Sequence, residues 1–211
     1  MPINHQSFLI IISSPSGAGK STLCHMITQN DPSIKLSVSA TTRAKREQEI
    51  EGKHYFFVTK EEFDRMSKNN EFLESAEVFG NHYGTPIKMV QDQLNKGLEV
   101  LFDIDWQGAR QIKQRFDKDS VISIFILPPS ISELKRRLTT RAQDSEEDVI
   151  NRMKKSYSEI SHFNEYDLVI INDDLNNTYQ KIFSVIEAKR LQRYNKTDLQ
   201  NFVNNFLDKN A

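Results

Sequence analysis

The chain has 211 residues, 37% apolar and 27% charged, with a formal net charge of −1 and a single cysteine, Cys24. That is the composition of one globular domain with room for smaller inserted lobes, not of a disordered or fibrous chain. A charge near zero excludes a generic nucleic-acid binder, which needs a basic excess to displace phosphate counterions, and a lone cysteine excludes an intrachain disulfide.

The first apolar run, Phe8 to Ile12, is too short to span a bilayer and has no Lys or Arg before it. Neither a membrane span nor a signal peptide is expected, so the protein reads as cytoplasmic. Continuous apolarity instead marks a central parallel strand covered on both faces. Directly after it stands Ser14-Pro15-Ser16-Gly17-Ala18-Gly19-Lys20-Ser21-Thr22, the spacing of a phosphate-binding loop with Ser14 where the first glycine is usual. Such a loop turns backbone N–H groups inward around a polyanion, and the helix starting near Lys20 adds its N-terminal dipole. Lys20 is expected to reach the β- and γ-phosphates of ATP or GTP, and the Ser21 hydroxyl to ligate Mg2+. Cys24 falls inside that helix, in a small buried apolar role.

Three short strand-like segments follow, Ile34 to Val38, His54 to Val58 and Phe72 to Val78. A helix at 60–69, opened by the capping box Thr59-x-x-Glu62, lies between the last two. They predict a small mixed lobe inserted after the first crossover helix. Thr85-Pro86 predicts a cap and a first-turn proline for a helix from Ile87 to Lys96, stopped by Gly97.

Val100-Leu101-Phe102-Asp103 reads as an apolar strand ending in a carboxylate on the magnesium side. Asp105 projects the same way if the strand continues, although an aspartate capping the next helix looks identical. Further strands are expected at Val121 to Leu127 and Leu168 to Ile171. Ser130-x-x-Glu133 opens a helix at 131–141, and Asp174 caps one at 175–193. The alternation predicts an α/β fold with a central parallel sheet and helices on its faces. Leu199, Phe202, Val203, Phe206 and Leu207 follow a Thr197-x-x-Gln200 capping box at helical spacing. They predict an amphipathic tail helix packed on the chain's own core, with a subunit contact as the other reading, hence a monomer or a homo-oligomer.

The inserted lobe holds Ser39-Ala40-Thr41-Thr42-Arg43-Ala44-Lys45-Arg46, Gly52-Lys53-His54-Tyr55-Phe56-Phe57, Asn70-Glu71-Phe72-Leu73-Glu74 and Gly80-Asn81-His82-Tyr83-Gly84-Thr85. In these motifs and their order, from the phosphate loop to Asn172-Asp173-Asp174, the sequence resembles the guanylate kinases over roughly three quarters of its length. The resemblance implies transfer of the γ-phosphoryl group of ATP to GMP, with Mg2+; the net charge and the short apolar run add the expectation of neither nucleic acid nor membrane as partner. It implies a core of residues 1–33, 86–133 and 154–211, a GMP-binding lobe at 34–85 and a helical lid at 134–153. By the same resemblance the loop residues Ser14 to Thr22 bind ATP, Asn172 lies beside the adenine, and Ser21 and Asp103 hold the metal. Arg43, Arg46, Tyr55 and Tyr83 would hold the GMP phosphate, while Ser39, Glu74 and Thr85 read the guanine with Asp105 close to that edge. Arg137, Arg141 and Arg152 would close from the lid and act in catalysis with Lys20 and Arg43. Arg136 matches no motif and reads as exposed, as does Lys45.

The residue types suit these roles. An arginine fork matches a phosphate bidentately, and a tyrosine hydroxyl donates without adding charge. A carboxylate can accept from both the N1–H and the 2-amino group of guanine, whereas adenine would leave it unpaired. Two other readings stay open: a non-catalytic phosphopeptide-binding module built on the same fold, and a kinase for another nucleoside monophosphate. The intact loop and arginines speak against the first, the strand-rich lobe against the second.

Overall fold

The computed structural model describes residues 5–78, 80–139, 146–194 and 196–208. Strand β1 (Leu9–Ser13) runs into the phosphate loop, from which α1 (Lys20–Asn30) leaves. Next come β2 (Ile34–Leu36), β3 (Ala40–Thr41), β4 (Phe56–Phe57), α2 (Lys60–Lys68), the hairpin of β5 (Phe72–Val78) and β6 (Asn81–Pro86), and α3 (Ile87–Leu94). The chain continues through β7 (Glu99–Asp103), α4 (Trp106–Arg115), β8 (Val121–Leu127), α5 (Ile131–Thr139) and α6 (Glu146–Ile160). It ends with β9 (Leu168–Ile171), α7 (Leu175–Gln192) and α8 (Lys196–Asp208).

Five strands form a parallel sheet in the order β2-β7-β1-β8-β9. Successive side chains on a strand point to opposite faces. Phe8, Ile10 and Ile12 therefore pack with Leu23 and Ile27 of α1 and with Ile182 and Ile186 of α7. Leu9 and Ile11 pack the other way, with Val90 of α3 and Ile112 of α4. Both faces are covered, which is why the run is apolar without alternation. At roughly 1.5–3 kcal/mol for each fully buried large apolar side chain, this burial outweighs any local propensity in fixing the strand.

The other four strands form a smaller mixed sheet in the order β4-β3-β6-β5, with its own core of Ala40, Phe63 and Phe72. The α/β class and the parallel sheet match the sequence reading. The segment beginning at Ile34, grouped from sequence with the inserted lobe, does not: β2 pairs in parallel with β7 at the edge of the large sheet. β3 and β6 carry no strand signal of their own and exist through pairing with each other and with β4 and β5.

Thr59, Ser130 and Asp174 cap their helices as expected, accepting from the N–H groups of Glu62, Glu133 and Asn177. Thr85 does not cap α3: Pro86 takes that position, and the threonine hydroxyl points to Glu74 instead. The tail helix starts at Lys196, so Thr197 lies within its first turn. Its Leu199, Phe202, Val203 and Leu207 are 39–59% exposed, so these residues do not pack on the chain's own core. Among the described residues no helix is long and apolar enough to cross a membrane.

Candidate active site

The phosphate loop bridges the buried end of β1 and the start of α1, with Gly17 at φ +91° and Gly19 at φ +96°. Those angles are open to glycine and strained for other residues. At Gly19 space is decisive too, since a Cβ would lie 2.5 Å from Asn172 Nδ2. Asn172 is buried and donates from Nδ2 to the Ala18 carbonyl at 2.8 Å, bracing the loop from β9's end.

Lys20 Nζ lies 2.6 Å from Asp103 Oδ1 and donates to the Ile104 carbonyl at 3.1 Å. Burial works to lower its pKa, but the charge and hydrogen bond of Asp103 outweigh it and hold the ammonium above its ordinary value. Ser21 Oγ donates to Asp103 Oδ2 at 2.8 Å, so one carboxylate at the end of β7 holds both loop side chains. Among the described residues, no three His, Cys, Asp or Glu side chains form a metal-holding group. A hydroxyl and a carboxylate side by side nevertheless suit Mg2+, which keeps several waters and takes one or two protein oxygens beside substrate phosphates.

Facing the loop, Glu74 of β5 sits opposite Thr85 of β6 in the strand register. Thr85 donates to Glu74 Oε1 at 2.6 Å and is 3.1 Å from Ser39 Oγ. With Glu74 ionised the threonine proton is committed to it, so Ser39 is the donor to Thr85. Burial pushes the Glu74 carboxyl up to about 7; the Thr85 hydrogen bond opposes this and the Asp105 charge adds to it. Asp105 caps α4, its Oδ1 accepting from the N–H groups of Gln107 and Gly108. Its cap role and its place on the cavity wall coexist.

Lys20, Ser21, Ser39, Tyr55, Glu74, Tyr83, Asp103 and Asp105 line one cavity of about 420 Å³ between the two sheets. Thr85 is buried and does not line it. Arg43 and Arg46 do not line that cavity. Arg43 is paired with Glu49 at 2.6 Å and lies 5.4 Å from the Tyr55 ring, with Tyr83 beside Tyr55. The Glu49 hydrogen bond raises the Arg43 pKa. Arg46 is exposed, and its backbone N–H donates to the other oxygen of Glu49. Lys45 is exposed as expected.

A second cavity of about 400 Å³ lies beyond the loop, lined by Thr22, Arg136, Arg137, Asn172, Asp173 and Leu175. Gly17 and Gly19 line both cavities. Arg137 donates to Glu133 at 2.8 Å and to the Asn172 carbonyl at 3.3 Å, and Arg136, exposed as expected, pairs with the same glutamate. The two guanidiniums draw the Glu133 carboxyl down to about 2. On α6, Arg152 donates to Ser16 Oγ at 2.8 Å. Arg141 and the acidic side chains at 144–148 lie outside the described residues.

This geometry has close counterparts. A family model described as guanylate kinase matches residues 6–189. Guanylate kinase of Rhizobium meliloti (strain 1021) is 47% identical over 208 residues, spanning 99% of this chain and 94% of the relative. That of Cereibacter sphaeroides is 52% identical over 198 residues, spanning 94% of each. The crystal structure of guanylate kinase from Anaplasma phagocytophilum is 38% identical, with a TM-score of 0.74, over 92% of this chain and 93% of that one. The chain belongs to the guanylate kinase family.

Two carboxylates of this guanylate kinase family member escaped the sequence reading. Glu159 of α6 is buried, lines the main cavity and accepts from the Ser16 N–H at 3.1 Å. Burial raises its pKa, against the pull of the Ser16 N–H and Lys155. Glu49 holds Arg43 and the backbone at Arg46 together. A glutamate on a charged helix or loop reads as solvated, and only the fold reveals either partner.

Proposed function

We propose that this chain transfers the γ-phosphoryl group of ATP to GMP, giving ADP and GDP, in the purine nucleotide metabolism of the cytoplasm. The observation that carries this reading is the buried Glu74, held by Thr85, on the same cavity as Lys20 and Ser21. A carboxylate there accepts from the N1–H and 2-amino groups of guanine. A base lacking those donors leaves it unpaired at a cost of about 1–3 kcal/mol or more.

On the donor side, the base lies in the second cavity by Asn172, and the polyphosphate passes over Gly17 and Gly19 toward Lys20. The loop N–H groups and Lys20 hold its oxygens. On the acceptor side, Tyr55, Tyr83, Arg43 and Arg46 hold the GMP phosphate in line with the γ-phosphorus. An oxygen of that phosphate forms the new P–O bond as the bond to the β-phosphate oxygen breaks. The acceptor is already an anion, so no side chain has to remove a proton. Arg137, Arg141 and Arg152 approach from 134–153 and, with Lys20, stabilise charge spread over the transferring group. Ser21 and Asp103 would hold Mg2+, which when bound with ATP would neutralise phosphate charge.

A coupled assay with ATP, Mg2+ and GMP tests the reading. Equal amounts of ADP and GDP are expected; folded protein that releases no GMP-dependent ADP would overturn it.

A further inference from the structure

Gly108 stands in the first turn of α4, buried, without a positive φ. Glycine is a poor helix former, and no turn or left-handed angle calls for one here. Glu74 does. A Cβ on Gly108 would lie 2.6 Å from Glu74 Oε2, 3.2 Å from its Cδ and 3.3 Å from Ile104 Cδ1.

α4 cannot back away to open that contact. Gln111 donates to the Ser75 carbonyl at 2.7 Å and accepts from the Ser75 N–H at 3.0 Å. Arg115 donates to the Phe72 carbonyl at 2.8 Å. These bonds tie the helix to β5 on both sides of Glu74 in sequence. The carboxylate is itself pinned at Oε1 by Thr85. Oε2, the far end of the side chain, is the part left to move.

We propose that Gly108 is a positioning residue for base specificity: its missing side chain lets α4 back the Glu74 carboxylate so that both oxygens meet guanine in register. The inference rests on the reading of Glu74 as the guanine reader. A methyl group at position 108 would displace Oε2 by roughly 0.5–1 Å, enough to break one of two parallel hydrogen bonds of ordinary length. The disturbance falls on the atom that recognises the base, and the backbone ties stay intact. Folding and donor binding are therefore untouched, and alanine improves the helix.

The test is Gly108→Ala, assayed with GMP and with IMP, which keeps the N1–H and lacks the 2-amino group. kcat/KM for GMP is expected to fall about 10–100-fold and that for IMP less than about threefold, so discrimination narrows. KM for ATP should stay within about twofold, and the melting temperature should hold or rise. In a Glu74→Asp background the shorter carboxylate withdraws from α4, and adding Gly108→Ala should change the GMP-to-IMP ratio less than about twofold. An unaltered ratio in Gly108→Ala, an equal loss with GMP, IMP and ATP, or the same added loss in the Glu74→Asp background would each overturn the inference. A wild-type chain that does not phosphorylate GMP would overturn the functional reading and this inference with it, whereas an active wild type with an unmoved ratio overturns the inference alone.

Discussion

Thr85 Oγ1 donates to Glu74 Oε1 at 2.6 Å across the β5–β6 register, between residues 0% and 4% exposed. A carboxylate so far from water needs a partner to stay ionised, and this hydroxyl works against the burial that pushes Glu74 up to about 7. Thr85 spends its hydroxyl on Glu74 and does not cap α3; on the proposed reading it serves recognition through that carboxylate.

A pH dependence follows from that position. On the proposed reading Glu74 accepts from guanine only when ionised, so kcat/KM for GMP should rise with pH through about 7. Stability moves the opposite way. The folded state holds a proton that the unfolded chain has released above its ordinary value of 4.5, so burial of Glu74 removes up to about 3 kcal/mol as pH rises to about 7. Rate profiles with GMP, and thermal melts of wild type and Thr85→Val between pH 5 and 8, check both signs.

Much of the donor side was legible in the sequence because it is local. Strand, glycine loop and helix are contiguous from Leu9 to Asn30, and the structure has each element where its residues predict it. The candidate acceptor side was legible only as a family likeness, since Ser39, Glu74 and Thr85 meet through pairing of strands that carry little signal alone. β2 was misassigned because a three-residue strand looks the same in either sheet until β7 pairs with it. Glu159 was invisible because its partner, Ser16, is 143 positions away. The periodicity of α8 predicted the helix, but not that Leu199, Phe202, Val203 and Leu207 would stay exposed rather than pack on the chain's own core.

Asp103 holds both Lys20 and Ser21, so losing it should disorganise the phosphate site without touching the core. Asp103→Ala is expected to lower kcat about 10²–10³-fold while the melting temperature shifts by only a few degrees. Steady-state kinetics with calorimetry separates the two.

Arg43 depends on its planar fork, one arm of which pairs with Glu49. A lysine keeps the charge and loses the geometry. Arg43→Lys should raise KM for GMP about tenfold and leave KM for ATP unchanged, as measured by varying each nucleotide at saturation of the other.

Far from the site, Arg190 joins Asp31, Glu99 and Ser33, with His5 also on Glu99, and ties the end of α7 to the starts of β2 and β7. Glu99 is fully buried. Arg190→Ala leaves that carboxylate without its guanidinium and should destabilise the fold by about 3–5 kcal/mol, while kcat of the folded fraction is retained. Denaturant unfolding measures the loss.

The proposed arrangement, in which donor and acceptor nucleotides meet at the phosphate loop and a single buried carboxylate chooses the acceptor, is tested most directly by Glu74→Gln. The measurement is kcat/KM for GMP and for AMP, with KM for ATP alongside, in wild type and variant. The preference for GMP should collapse by about 10²-fold while KM for ATP stays within about twofold. Equal losses toward both nucleotides, or an intact preference for GMP, would contradict it.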